Sequence, residues 1–249
     1  MKPPIETSVE RIAETTATTE RPLIRLEEVS KTFTLHNVNK QVVGCRDISF
    51  DVAKGAFVGI TGKSGSGKTT ILRCIYRTNL PQSGTILYDS SLFGRVDLAT
   101  IDERKMCLIR DYEIGYVSQF LQSLPRVTAY DIVYRSALET CEPRVAKVET
   151  ERLLHHFEIK EELWDLFPNT FSGGEKLRLN IAKAMVKKPE LLLLDEPTAS
   201  LDQHSKEKVR DLIEQLKNVG TTMIGIFHDL EFMDKLCDQE FNIQQGSFV

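Results

Sequence analysis

Eight residues in the first third of the chain, Gly62-Lys63-Ser64-Gly65-Ser66-Gly67-Lys68-Thr69, restrict the possible folds more than any other feature. They fit the pattern GxxxxGK[ST]. They follow the apolar run Ala56-Phe57-Val58-Gly59-Ile60-Thr61 and precede Thr70-Ile71-Leu72-Arg73, which reads as the start of a helix. Glycines let such a loop curl until its backbone N–H groups point inward, and the helix N-terminus behind it adds partial positive charge. The chemistry this implies is phosphate binding by Gly62 to Thr70, with Lys68 reaching the β- and γ-phosphates of ATP and the Thr69 hydroxyl ligating Mg²⁺.

A strand that is apolar at every position is covered on both faces, so the loop needs a parallel sheet with helices on each side. The rest of the chain supplies the parts. Ile24 to Val29 and Ile48 to Val52 alternate apolar and polar residues, the period of half-buried antiparallel strands, and Lys54-Gly55 marks a turn. Val145 to Phe157 carries apolar positions at helical spacing within a middle region, about 118–185, that reads as a helical lobe. After Phe171 the order is helix, apolar strand Leu191 to Leu194, helix Ser205 to Lys217, strand Thr222 to Phe227, helix. This alternation predicts a doubly wound α/β core. Residues 1–22 are polar and rich in Thr and Glu, and predict a disordered tail ahead of one domain over 23–249.

Two further segments carry chemistry. Leu191-Leu192-Leu193-Leu194-Asp195-Glu196 is a buried strand ending in two acids. Behind a phosphate loop, Asp195 is placed to hold Mg²⁺, and Glu196, one residue on, is the natural general base for an attacking water. Ser172-Gly173-Gly174-Glu175 precedes a helix with Leu177, Ile181, Ala184 and Met185 on one face, and Ser172 and Glu175 have capping-box spacing.

Bulk properties give expectations about class. A net charge of -4 on 249 residues gives no electrostatic reason to expect nucleic-acid binding as the main role, although net charge says nothing of local patches. The five cysteines are scattered, without a CxxC pair, so neither a disulfide framework nor a zinc site is expected. No apolar run approaches the roughly 18–20 residues that span a bilayer, and a cytoplasmic protein is expected, without direct membrane insertion.

The phosphate loop, then Phe171-Ser172-Gly173-Gly174-Glu175, then Leu191 to Asp202, then an isolated late His is the order of motifs in the ATP-binding-cassette (ABC) ATPases, and the chain resembles that family from Leu23 onward. The resemblance implies a P-loop NTPase fold of the ABC type: a mixed RecA-like α/β core, an antiparallel β subdomain and an inserted α-helical subdomain. It implies that Ser172, Gly173 and Gly174 form the signature loop, which closes on ATP held by the P-loop of a second ABC subunit, identical or paralogous. Gln119 resembles the Q-loop glutamine that touches Mg²⁺ and the water. Asp202 in Ser200-Leu201-Asp202 resembles the D-loop, His228 the switch histidine at the γ-phosphate, and Phe33 the aromatic that stacks on adenine. The signature departs from the usual pattern with Phe171 for Leu and Glu175 for Gln, neither of which removes a phosphate contact.

Within the family, chromosome and repair ATPases need coiled-coil insertions, for which about a hundred residues between Lys68 and Ser172 leave no room. Val29 to His36, Tyr116 to Leu121 with Pro125-Arg126, Thr170 to Glu175 and Gly225 to Asp229 are most similar to the L-type ATP-binding proteins of the bacterial phosphonate carbon–phosphorus (C–P) lyase system. Ile226-Phe227 before the His differs from the Val/Thr-Thr of lipoprotein-exporter ATPases. The resemblance implies an accessory ATPase partnered by C–P lyase core subunits. The alternative is the ATPase subunit of an exporter of the lipoprotein-release type.

Overall fold

The computed structural model describes residues 21–35, 40–118, 121, 126–198, 201–227, 230–233 and 236–248. The alternating segments near the start form strands β1 (Ile24–Leu35) and β2 (Lys40–Val52), paired antiparallel with Ile24 opposite Val52. Their inward residues Ile24, Leu26, Val29, Ile48, Phe50 and Val52 are buried. The apolar run ahead of the loop is β3 (Phe57–Thr61), and the chain then enters helix α1 (Lys68–Ile75). Residues 83–112 carry no element in the sequence reading above. Here they form β4 (Ser83–Ser90), β5 (Gly94–Asp97) and α2 (Glu103–Tyr112). β4 pairs antiparallel with β1 and with β5, giving the sheet order β2-β1-β4-β5. Its alternation is legible only at Ile86 and Tyr88, too short a pattern to stand out without its partners.

The second sheet has the order β10-β9-β3-β8-β7-β6, with β6 (Ile114–Val117), β7 (Leu191–Asp195), β8 (Thr222–Ile226), β9 (Gln239–Asn242) and β10 (Ser247–Phe248). The β9-β3-β8-β7-β6 pairings are parallel and β10 is antiparallel. Every residue of β3, β7 and β8 is buried. β7 shows why: Leu191 and Leu193 enter the core shared with α1, α2 and the antiparallel sheet, while Leu192 and Leu194 enter the core on the opposite face. Successive side chains of a strand point to opposite faces, so two cores demand an unbroken apolar strand.

The opposite core is built by α3 (Ala129–Leu138), α4 (Pro143–His156), α5 (Gly173–Met185) and α6 (Gln203–Asn218), followed by the short α7 (Leu230–Met233). α3 and α4 pack on each other and on α5, and the Ser136 hydroxyl donates to the Lys183 carbonyl at 3.0 Å. The first helix of this lobe starts at Ala129 because Thr128 caps it, its hydroxyl accepting from the Asp131 N–H. The two sheets are tied together by the buried Glu113, which accepts from the Ser90 hydroxyl at 3.0 Å and the Leu92 N–H at 2.8 Å. Among the described residues no helix is long and apolar enough to cross a membrane.

Candidate nucleotide-binding and hydrolytic site

The carboxyl ends of β3, β7 and β8 meet at one edge of the parallel sheet, and the phosphate loop lies there. Gly67 caps α1 in the left-handed region, φ 98° and ψ 9°. A Cβ at this position would stand 1.6 Å from the Gly44 carbonyl oxygen, so only glycine fits. No side chain caps α1 and its first turn holds no acid, which leaves the first N–H groups and the positive end of the helix dipole available to an anion. Lys68 is 4% exposed, and its Nζ donates to the Gly62 carbonyl at 2.8 Å and the Lys63 carbonyl at 3.1 Å. Burial pushes this ammonium below the ordinary lysine range, while the Glu196 carboxylate works the other way. The Ser66 hydroxyl is buried with no hydrogen-bond partner among the described residues, as suits a loop built around a polar group.

Across the sheet edge, Thr69 and Asp195 come together. The Thr69 hydroxyl donates to Asp195 Oδ1 at 2.9 Å, and the Tyr116 hydroxyl donates to Oδ2 at 2.6 Å. Asp195 is 6% exposed, so both of its oxygens meet their partners with little water. A hydroxyl and a carboxylate in contact at a phosphate loop are the hard oxygen donors that Mg²⁺ takes, and these residues fit that ion. The next residue, Glu196, has φ +52°, a conformation rare for a side chain of its kind. Its N–H donates to the Ile226 carbonyl at 3.1 Å, so the β7–β8 ladder holds the strained turn in place.

A cleft of about 230 Å³ gathers the parts, lined among others by Phe33, Val42, Val43, Ser64, Lys68, Thr69 and Glu196. Gly65, Gly67 and Thr70 also face it. Phe33 packs over Gly44, where a Cβ would come within 2.6 Å of the ring. Val42 and Val43 are exposed apolar side chains beside it, 40% and 47% accessible. An aromatic face with two exposed valines is a surface for a flat heterocycle.

Ser172, Gly173, Gly174 and Asp202 do not line this cleft. They stand at the N-termini of α5 and α6. The Ser172–Glu175 capping box is present: Ser172 Oγ accepts from the Glu175 N–H at 3.3 Å, and Glu175 Oε2 accepts from the Ser172 N–H at 2.8 Å. Partial burial opposes ionisation of Glu175, but the Ser172 N–H and hydroxyl, with Arg178 and Lys160, hold its carboxyl below the ordinary range. Asp202 caps α6, accepting from the Ser205 N–H at 2.8 Å, so this helix begins at Gln203 rather than Ser205. Ser205 Oγ also lies 3.2 Å from where a Cβ of Gly174 would be, so the two helix starts touch. Gln119, Ser200 and His228 lie outside the described residues. In the sequence Gln119 comes two residues after the end of β6 and His228 two residues after the end of β8, and β6 and β8 are the strands that flank β7.

Tyr116, Gly44, Val42 and Val43 were not singled out from the sequence as site residues. The valine pair was detectable as apolar residues on both faces of a strand with only one core. The reach of Tyr116 was not, because it depends on which strand lies beside β7.

Comparison with known proteins agrees with this geometry. The family model described as ABC transporter matches residues 45–199. The lipoprotein-releasing system ATP-binding protein LolD of Bacteroides fragilis is 33% identical over 91% of this chain and 100% of its own length. The methionine import ATP-binding protein MetN of Haemophilus influenzae is 31% identical over 91% of this chain, which spans 64% of that relative's length. Among solved structures, the dimeric post-hydrolysis state of the ATP-binding cassette MJ0796 bound to ADP and Pi superposes with a TM-score of 0.79 at 26% identity, covering 90% of this chain and 95% of that one. A P-loop in this setting and a family match across most of the domain lead to one conclusion: the chain belongs to the ABC transporter family, among its ATP-binding cassettes.

Proposed function

We propose that each chain binds MgATP between Phe33 and Glu196 and hydrolyses it only when the signature loop of a second ABC subunit closes over the cleft. The carrying observation is a division of parts. Glu196, Lys68 and Thr69 share one cleft, whereas the capped N-terminus at Ser172 opens elsewhere on the same chain. In this reading the loop amides and Lys68 hold the β- and γ-phosphates, and Glu196 takes the proton of the attacking water. Thr69 and Asp195, with Gln119, hold Mg²⁺, which supplies charge neutralisation at the phosphates when bound. His228 contacts the γ-phosphate, and Asp202 lies at the interface between subunits.

The partner that receives the motion is, in this proposal, the phosphonate C–P lyase machinery. The support is local sequence: Tyr116 to Leu121, Thr170 to Glu175 and Ile226-Phe227-His228. A second reading, the ATPase subunit of a membrane transporter, is favoured by the relatives, since LolD is matched over its whole length. One experiment separates them. Tagged Glu196→Gln protein with ATP, purified from its own host, should bring down lyase subunits from the soluble fraction. Deletion of the gene should abolish growth on methylphosphonate as sole phosphorus source and spare growth on phosphate. Recovery only with an integral membrane protein, or normal growth on methylphosphonate, selects the transporter reading.

A further inference from the structure

Asp195 is the carboxylate on which the metal reading depends, and it is held from both sides. Thr69 donates to Oδ1 and Tyr116 to Oδ2, so the plane of the carboxylate is fixed by one donor per oxygen. Thr69 belongs to the phosphate loop itself. Tyr116 comes from β6, the edge strand paired in parallel with β7, with Tyr116 opposite Leu193. Its ring is held against Tyr76 at a centroid distance of 5.1 Å, and the Arg110 guanidinium covers Tyr76 from 5.8 Å. The phenol is therefore delivered by a strand and a packed ring, not by a mobile side chain.

The choice of donor has a consequence. A lysine or arginine at this distance would orient Asp195 equally well but would cancel the negative charge a divalent cation needs. A phenol orients the carboxylate and leaves its charge intact. A phenol keeps its proton at neutral pH and so stays a donor. Partners of this kind fix the rotamer of a ligating side chain, and their loss typically lowers metal affinity on the order of 10–100-fold.

We propose that Tyr116 is a positioning residue for the metal site: its hydroxyl holds Oδ2 of Asp195 so that Oδ1, beside the Thr69 hydroxyl, is presented to the cation of MgATP. This rests on the reading of Thr69 and Asp195 as the metal-holding pair. It also ties the metal carboxylate to the strand that leads, three residues later, to Gln119.

The test is Tyr116→Phe, which removes one oxygen and keeps the ring. Mn²⁺ binding is read by electron paramagnetic resonance on the whole protein with ADP, and ADP affinity is read separately in EDTA. The expected result is Mn²⁺ affinity lowered about tenfold or more, with ADP affinity in EDTA unchanged. The Mg²⁺ concentration for half-maximal hydrolysis should rise by a similar factor. Asp195→Asn and Thr69→Val serve as references. If they weaken Mn²⁺ binding and Tyr116→Phe does not, the positioning role is overturned and the metal site stands. If neither reference changes Mn²⁺ binding, the metal reading falls and the role of Tyr116 with it. Equal losses of Mn²⁺ affinity and of ADP affinity in EDTA would mean that the hydroxyl supports the fold of the loop, which also overturns the proposal.

Discussion

Glu196 and Gly67 both have positive φ, for opposite reasons. At Gly67 the conformation is free of cost because there is no Cβ, and the turn aims the first N–H groups of α1 into the cleft. At Glu196, φ +52° costs energy that the surrounding structure must offset, and the bond from its N–H to the Ile226 carbonyl helps to hold it. Glu196→Gln should keep the backbone and nucleotide binding but lose the base, slowing hydrolysis by about a hundredfold or more. Single-turnover assays check this, and near-normal turnover would remove Glu196 from the base role. Gly67→Ala should do the reverse damage. With a Cβ driven into the Gly44 carbonyl, we expect stability to fall by roughly 2 kcal/mol or more and ATP binding to be lost, as read by urea unfolding and by titration with a fluorescent ATP analogue.

At the level of elements, the helix starts are where the chemistry concentrates. α1 has no side-chain cap, which leaves its first N–H groups available to an anion, whereas α5 and α6 are capped by Ser172 with Glu175 and by Asp202 with Ser205. The contact of Gly174 with Ser205 makes the two capped ends one unit. The cap of α5 carries a pH signature. The carboxyl of Glu175 is held below its ordinary value of 4.5, so its contribution to stability is full above that pH and is lost as pH falls through the lower, folded value. The urea midpoint of Glu175→Gln should therefore lie below wild type at pH 7, and the gap should close as the pH drops below 4.5. A gap of constant size down to pH 3 would show that Glu175 acts by packing and not by charge.

Over the whole molecule, the cleft at the phosphate loop and the capped helix ends at Ser172 and Asp202 are separate surfaces, which the proposed function joins through a second subunit. The dimeric MJ0796 cassette, with ADP and Pi, is the relevant neighbour. Within the chain, Asn180 of α5 donates to the Ser118 carbonyl at 3.0 Å, so the signature helix is tied to the residue just before Gln119. Ser172→Arg should abolish turnover while each chain still binds ATP, because the lesion lies on the neighbour's site. Mixed with Lys68→Ala protein it should recover activity, since one interface then carries both lesions and the other neither. A mixture as inactive as its components would argue against independent sites in a homodimer, and full activity of Ser172→Arg alone would refute the shared site.

The sequence by itself determined the motifs whose geometry is local. A GxxxxGK[ST] loop needs only its own glycines and the helix behind it, so residues 62–69 could be read directly, as could the Ser172–Glu175 cap, which spans one helical turn. The unbroken apolar run of β7 announced a strand buried on both faces for the same reason. Tertiary structure alone decided the contacts made between strands distant in sequence. Tyr116 meets Asp195 because β6 lies beside β7, and Phe33, Val42 and Val43 share a cleft with Lys68 because Gly44 abuts Gly67. β4, β5 and α2 were hidden because their apolar residues make a recognisable pattern only when the antiparallel sheet and the buried Glu113 bring the other half of the contact. Hydrophobic periodicity says which face of an element is buried, and sheet order says against what.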